Sequence, residues 1–166
     1  PGSAPGSTAP SRCPEPRESA WATLGGMSAT EPSSPFISSD SLGLGAALAP
    51  ALAPGLVVWL SGDLGAGKTT LTRGLLRALG HQGSVKSPTY TLLEVYAVSR
   101  IALYHFDFYR FNTPDEFLEA GLEEYFGGAG ACLVEWADKA LPYVPPADLE
   151  IHLQVAGDGR AARVEA

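Results

Sequence analysis

The stretch Gly62-Asp63-Leu64-Gly65-Ala66-Gly67-Lys68-Thr69 decides the predicted fold of this chain. It matches the phosphate-binding loop pattern, in which a glycine and four further residues precede Gly-Lys and then serine or threonine. Residues 56–60 before it form a continuous apolar run, which is typical of a strand buried on both faces. After it, leucines recur at helical spacing over residues 71–79 until Gly80 ends the pattern. The segment is therefore predicted to fold as strand, glycine loop and helix.

A loop of this kind can hold polyphosphate. Its glycines let successive backbone N–H groups curl around an anion, and the following helix directs the positive end of its dipole at the same point. Lys68 is expected to reach the outer phosphates and the Thr69 hydroxyl to bind Mg²⁺. ATP and Mg²⁺ are thus the predicted cofactors, and the alternative is a glycine-rich turn without a ligand. The candidate nucleotide-binding residues of the loop are Asp63, Gly65, Ala66, Gly67, Lys68, Thr69 and Thr70.

Two acidic residues, Asp107 and Glu135, each follow an apolar run that is predicted to be a strand. In phosphate-loop enzymes a carboxylate at the end of a neighbouring strand holds the metal directly or through water, and another acid or polar group orients the attacking water. Lys68, Asp107 and Glu135 are therefore the predicted catalytic residues, and Thr69, Asp107 and Glu135 the predicted metal ligands. For each acid, the alternative is a solvated side chain at a strand end.

Two further features are candidates for the same site. The tripeptide Ser87-Pro88-Thr89 lies in a connection after the loop's helix, where the Thr89 hydroxyl could meet the terminal phosphate. A simple loop leading into a strand is an equally good interpretation. Trp136 follows Glu135 and could stack on a nucleotide base, although an aromatic residue beside a buried strand more often packs in the core.

The remaining pattern predicts an α/β domain over residues 36–166, a three-layer P-loop NTPase-like fold with a mixed central sheet. A first helix should begin at residue 40 or 41 and be bent or shortened by Pro50. Later segments are predicted as a hairpin of residues 90–98 and 101–108, a helix capped by Thr113 and running to about Phe126, a strand over 131–136, and a terminal hairpin of residues 149–155 and 160–165.

Residues 1–35 contain half of the chain's 14 prolines, and they are predicted to be a disordered leader. Met27 is the only methionine and a candidate translation start. The formal charge of −7 argues against a broad nucleic-acid surface. Cys13 and Cys132 lie in different contexts, so we expect no disulfide and a reducing compartment, the cytoplasm. No run of about twenty apolar residues occurs, and the chain is predicted to be soluble, without a membrane contact.

Other site types find little support in the sequence. The histidines His81, His105 and His152 are far apart and lack zinc-ligand spacing, so each is interpreted as structural or exposed. No Asn-Lys-x-Asp string is present, which disfavours guanine. The acidic helix is interpreted as a solvated face or, alternatively, as a docking surface; its acidic residues are Asp115, Glu116, Glu119, Glu123 and Glu124.

Four ordered motifs together resemble the TsaE (YjeE) family. They are residues 62–70, Ser87-Pro88-Thr89-Tyr90, His105-Phe106-Asp107-Phe108-Tyr109-Arg110 and Val134-Glu135-Trp136, and the similarity runs from about residue 41 to the C-terminus. The chain departs from the family pattern at three positions, with Ser41 where threonine is usual, Pro50 within the first helix, and Ala137 where proline is frequent.

This resemblance implies a more specific function than the motifs alone. It implies the ATPase component of bacterial tRNA threonylcarbamoyladenosine biosynthesis, with hydrolysis coupled to the partner proteins TsaD and TsaB and with tRNA reached only through that complex. It also implies that Asp107 and Glu135 serve magnesium binding and hydrolysis and that Trp136 lies near the base. Slow turnover of the isolated chain is expected.

Two other functions remain open on the sequence. A small-molecule kinase would share Lys68 and Thr69, but it would need an acceptor-binding lid and several arginines, and no arginine-rich segment is visible. A nucleotide-sensing interaction module with little hydrolysis would share the binding loop.

Overall fold

The computed structural model describes residues 36–38, for which the backbone alone is described, and residues 40–98 and 101–166. The predicted disordered leader of residues 1–35 lies outside this part of the chain. Within it, seven strands form one sheet in the order β1-β7-β6-β2-β5-β4-β3. The strands are β1 (Phe36–Ser38), β2 (Val57–Ser61), β3 (Leu93–Val98), β4 (Ile101–Asp107), β5 (Gly130–Glu135), β6 (Leu149–Ala156) and β7 (Gly159–Glu165).

The centre of the sheet is parallel and its edges are antiparallel. Strand β2 pairs in parallel with β5 and with β6, and β4 pairs in parallel with β5. The hairpins β3–β4 and β6–β7 are antiparallel, as predicted, and β1 adds to β7 in the same way. Every residue of β5 is buried, which explains its uninterrupted apolar sequence. The carboxyl ends of β2, β4 and β5 consequently meet at one edge of the sheet.

Two helices cover one face of the sheet. They are α1 (Ser41–Leu48) and α2 (Lys68–Ala78), and a 3₁₀ turn (Ala49–Ala51) follows α1, so the predicted shortening at Pro50 is confirmed. The helices approach closely at Gly45, where a Cβ atom would collide with the backbone oxygen of Leu71. The apolar side chains between helices and sheet include Leu44, Leu48, Leu60, Leu71, Leu75, Leu76 and Leu133.

The opposite face carries a hydrophobic cluster rich in aromatic residues, which include Phe106, Phe108, Phe111 and Phe117. The single helix predicted to run from Thr113 to Phe126 is wrong. The structure has a four-residue helix α3 (Glu116–Glu119) and a separate 3₁₀ turn (Leu122–Phe126). Gly121 between them has a φ of +66°, a left-handed conformation that ends the first segment.

The predicted cap of that helix is also wrong. Asp115, not Thr113, occupies the N-cap position and makes no capping bond through its side chain. Instead the Glu116 carboxylate accepts the backbone N–H of Asn112 at 2.7 Å and that of Thr113 at 3.3 Å. The Glu116 carboxylate therefore fixes the chain at the start of the helix. Its bond to the Thr113 N–H is one of the two hydrogen bonds of the capping box that the sequence pattern suggested.

Several predicted boundaries shift by a few residues. Strand β3 begins at Leu93 rather than at residue 90, because the preceding residues form a turn in which Leu92 has a φ of +65°. Residues 137–140, unassigned from the sequence, form a 3₁₀ turn. In the described residues, no helix has the length and apolar content needed to cross a bilayer.

The close approach of α1 and α2 gives a stability prediction. Gly45→Ala should lower the free energy of unfolding by about 1–3 kcal/mol, because the added methyl group must displace the backbone of α2. Gly43→Ala in the same helix is the matched control. Its Cβ atom would lie 3.5 Å from the Asp40 carboxylate, an ordinary contact, and alanine favours the helix. Urea denaturation of both variants measures the difference, and equal stabilities would contradict the prediction.

Candidate functional site

The glycine loop lies between β2 and α2, as predicted, at the carboxyl edge of the sheet. Gly67 precedes α2 with a φ of +106°, a conformation that L side chains rarely adopt. The loop forms one wall of a cleft of about 220 Å³. The residues that line the cleft are Leu64, Gly65, Gly67, Lys68, Thr69, Thr70, Ser87, Thr89, Asp107, Glu135, Trp136 and Arg160.

Nine of the predicted site residues therefore line one cleft: Gly65, Gly67, Lys68, Thr69, Thr70, Thr89, Asp107, Glu135 and Trp136. Two others, Asp63 and Ala66, belong to the loop but do not line the cleft. Their backbone carbonyls accept hydrogen bonds from Lys68 and Arg160, respectively. Sequence spacing alone could not separate residues that face the cleft from those that support it.

Lys68 is the buried cation of the site, with only 6% of its surface exposed. Its ammonium donates to the carbonyl oxygens of Gly62 and Asp63 and lies 4.9 Å from the centre of the Trp136 ring. Burial away from water lowers the pKa of Lys68 below its ordinary value of 10.5. The negative charges of neighbouring acids oppose this shift, in decreasing order Glu135, Asp107 and Asp63. The site therefore holds a desolvated ammonium close to several acids.

Asp107 connects the sheet to the Ser87-Pro88-Thr89 segment. It ends β4 directly beside Glu135 on β5, and its carboxylate is buried. Oδ2 accepts the hydroxyl of Thr89 at 2.8 Å and that of Ser87 at 3.2 Å, while Oδ1 accepts the backbone N–H of Tyr109 at 2.9 Å. The alternative of a solvated acid at a strand end is therefore wrong for Asp107.

Glu135 is buried as well, and it contacts a histidine. His105 Nε2 lies 2.8 Å from Glu135 Oε1, and the histidine is fully buried. Within the described residues, Nδ1 of His105 has no hydrogen-bond partner. The interpretation of His105 as a structural or exposed residue thus missed its contact with the site. A signal was present, because His105 and Asp107 are two residues apart on one strand and so share a face.

Trp136 lies at the rim of the same cleft, with its backbone in a left-handed conformation at a φ of 57°. Its ring packs against Tyr109, with the ring centres 5.1 Å apart, and faces the Lys68 ammonium. It is half-buried and packs against the hydrophobic cluster rich in aromatic residues. Trp136 therefore both packs against the core, as the alternative interpretation held, and presents its ring to the cleft beside the Lys68 ammonium.

Arg160 is a site residue that the sequence did not reveal. It is the second residue of β7, far from the glycine loop in the chain, and its guanidinium donates to the loop carbonyls of Gly65 and Ala66. The β6–β7 register also brings His152 beside Glu150 and Glu165, with ligand atoms within 4.8 Å of one another, a grouping that was not predicted from the sequence. Glu165 is at the same time paired with Arg163 at 2.9 Å. This group lies apart from the cleft lining.

Known proteins are similar to this chain in sequence and in fold. The family model described as threonylcarbamoyl adenosine biosynthesis protein TsaE matches residues 38–163. The chain belongs to the TsaE family. Its relatives in this family include proteins named tRNA threonylcarbamoyladenosine biosynthesis protein TsaE from three bacteria, and the resemblance identified from the sequence is thus confirmed.

The TsaE protein of Haemophilus influenzae is 49% identical over 105 residues, 63% of this chain and 66% of that protein. That of Bacillus subtilis is 47% identical over 105 residues, 63% of this chain and 65% of that protein. The chain thus spans just under two thirds of the length of these two relatives. The Treponema pallidum protein is 39% identical over 120 residues, 72% of this chain and 88% of that protein.

Among solved structures, Bacillus subtilis YdiB resembles the fold with a TM-score of 0.61 and 35% sequence identity. The match covers 78% of this chain and 82% of YdiB. The predicted α/β class with a mixed central sheet is confirmed.

The hydrogen bonds of Asp107 give a prediction about the TsaE-family site. In Asp107→Ala, no oxygen remains to accept the hydroxyl bonds of Ser87 and Thr89. Residues 86–91 should then exchange their amide hydrogens about tenfold faster or more, while β4 and β5 stay protected. Hydrogen-exchange mass spectrometry measures this, with Asp138→Ala at an exposed position as control. Unchanged exchange in residues 86–91 would mean that Asp107 does not hold the segment.

Proposed function

We propose that this chain binds MgATP in the cleft and hydrolyses it as the ATPase component of tRNA threonylcarbamoyladenosine biosynthesis. The observation that carries the proposal is the convergence of the buried Lys68 ammonium with Asp107 and Glu135 at the end of the glycine loop. Burying the Lys68 ammonium beside the cleft costs free energy, and a loop with a solely structural role would gain nothing from it.

The residues of the cleft fit a magnesium-bound triphosphate. The loop backbone and Lys68 would hold the phosphates, and Thr69 with one or both carboxylates would supply the oxygen ligands that magnesium prefers. When bound, Mg²⁺ neutralises charge that develops on the phosphate oxygens. The Lys68 ammonium donates hydrogen bonds to the carbonyl oxygens of Gly62 and Asp63. Phosphate oxygens could replace these acceptors without leaving the ammonium unpaired.

The two carboxylates differ in the hydrogen bonds that they accept. Asp107 accepts three, from Ser87, Thr89 and Tyr109, whereas the contact of Glu135 is with His105. Glu135 therefore has more capacity left to orient the attacking water and accept its proton, and His105 fixes its orientation. Asp107 ties the Ser87-Pro88-Thr89 segment to the site, which lets the segment respond to the terminal phosphate.

The proposed setting is a cytoplasmic complex with TsaD and TsaB, in which tRNA is reached only through the partners. The role in tRNA modification is supported by the names of the relatives. Contact with tRNA through partners is supported by the formal charge of −7, which is unsuited to direct binding of a nucleic-acid backbone. A partner-dependent rate also fits the physical setting, since an ATPase coupled to another reaction should turn over slowly alone.

The central test measures MgATP affinity by calorimetry and phosphate release with and without TsaB and TsaD. Lys68→Ala should weaken MgATP binding by about 100-fold or more, because the outer phosphates lose their buried cation. Glu135→Gln should keep the affinity within a few-fold and slow hydrolysis by about 100-fold or more. The exposed Lys139→Ala is the charge-matched control.

Three outcomes distinguish the candidate functions. Phosphate release that rises on adding TsaB and TsaD supports the proposal. Transfer of phosphate to a metabolite would favour a kinase, and binding without release in the presence of both partners would favour a sensing module. Wild-type affinity in Lys68→Ala would remove the proposed site altogether.

A second test concerns base stacking on Trp136. The Trp136 ring faces Lys68, so phosphate binding by itself should change its fluorescence. MgATP should therefore change the emission more than Mg-tripolyphosphate does, because only ATP brings a base. In Trp136→Phe both changes should be lost, which separates them from signals of Trp21 and Trp59. Equal responses of the wild-type protein to the two ligands would exclude stacking.

A further inference from the structure

The guanidinium of Arg160 lies against the glycine loop. Its Nε donates to the carbonyl of Ala66 at 3.0 Å, and Nη2 donates to the carbonyl of Gly65 at 3.3 Å. A third bond, from Nη1 to the carbonyl of Gly159 at 3.0 Å, fixes the side chain on its own hairpin. One side chain thus joins the last hairpin of the sheet to two successive peptide groups of the loop.

We propose that Arg160 is a positioning residue that holds the glycine loop in its phosphate-binding shape. The inference rests on the proposed function, and it adds a residue to the site that lies more than ninety positions from the loop in the chain, as the contact between Arg160 and Ala66 shows.

The physical reason is the geometry of the peptide unit. In a planar trans peptide, the carbonyl of one residue and the N–H of the next point in opposite directions. Holding the Gly65 and Ala66 carbonyls toward Arg160 therefore turns the N–H groups of Ala66 and Gly67 the other way. The Ala66 N–H closes a turn by donating to Asp63 at 3.0 Å. The orientation of the Gly67 N–H, at the start of α2, is set by the same contact.

The packing of Gly67 supports this role. A Cβ atom at Gly67 would collide with the hydroxyl of Ser41 and would lie 3.7 Å from Nε of Arg160. The loop is therefore enclosed between the start of α1 and the last hairpin. Gly67 lies between these two neighbours with a φ of +106°, and glycine can rotate widely, so contacts from outside the loop must restrict its conformation.

The chemistry of arginine suits this task better than that of lysine. A guanidinium presents several donors in a rigid plane and can bind neighbouring acceptors at once, whereas an ammonium is a point donor on a flexible chain. Within the described residues, no carboxylate forms an ion pair with Arg160, so its donors serve carbonyl oxygens. Hydrogen bonds from a charged donor are about twice as strong as neutral ones.

The test compares MgATP affinity in the full chain and three variants by calorimetry. Arg160→Met removes the donors and should weaken binding about tenfold or more. Arg160→Lys keeps the positive charge but not the planar set of guanidinium donors. Its MgATP affinity should therefore lie between those of Arg160→Met and the wild type. Arg163→Met is the matched control on the same strand, because Arg163 is exposed and pairs with Glu165 rather than with the loop. Its affinity should equal that of the wild type.

Hydrogen exchange without nucleotide provides an independent readout. Residues 63–67 should exchange faster in Arg160→Met, while β7 keeps its protection because its pairing with β6 uses backbone groups. Circular dichroism verifies folding of each variant. If Arg160→Met does not fold, Arg160→Lys decides the question, since it keeps length and charge.

Two results would overturn the proposal: affinity and loop exchange of Arg160→Met within twofold of the wild type, or full wild-type affinity in Arg160→Lys, which would mean that charge alone matters. A wild-type chain that binds no MgATP would instead refute the proposed function, and the exchange experiment would still decide whether Arg160 holds the loop.

Discussion

The parallel pairing of β2, β5 and β4 is the constraint on which the rest of the site depends. Parallel strands end at the same edge of a sheet, so the glycine loop after β2 and the acids that end β4 and β5 are brought to one place. Asp107 and Glu135 are direct neighbours in this register. The all-buried β5 lies between the other two strands and fixes their spacing. The candidate site therefore lies at the carboxyl ends of the parallel strands, which is the usual location of binding sites in open α/β sheets.

A balance of buried charges dominates the cleft. Burial lowers the pKa of Lys68, and the nearby carboxylates oppose that shift. Each charged group also has fixed hydrogen-bond partners, such as His105 for Glu135 and the two hydroxyls for Asp107. These partners hold the charged groups in fixed positions, so the site is organised by the fold itself.

The loop is held from outside as well as by its own sequence. Helix α1 packs on α2 through Gly45, and the Ser41 side chain at the start of α1 packs against Gly67. Arg160 contacts the loop from β7, which is separated from β2 in the sheet only by β6. The first helix and the last strand of the described chain therefore both restrict the segment that carries the phosphate-loop motif.

The sequence by itself determined the strand, loop and helix around Lys68, both hairpins, and the acids at two strand ends, because local periodicity and turn chemistry encode such features. It failed at residues 113–126, where a left-handed Gly121 divides what the apolar spacing presented as one helix. Only the tertiary structure decided the strand order and register. That register placed His105 on Glu135, His152 between two glutamates, and Arg160 on the loop. The physical reason is that these contacts join residues far apart in the chain, and no local propensity specifies which distant side chains will meet.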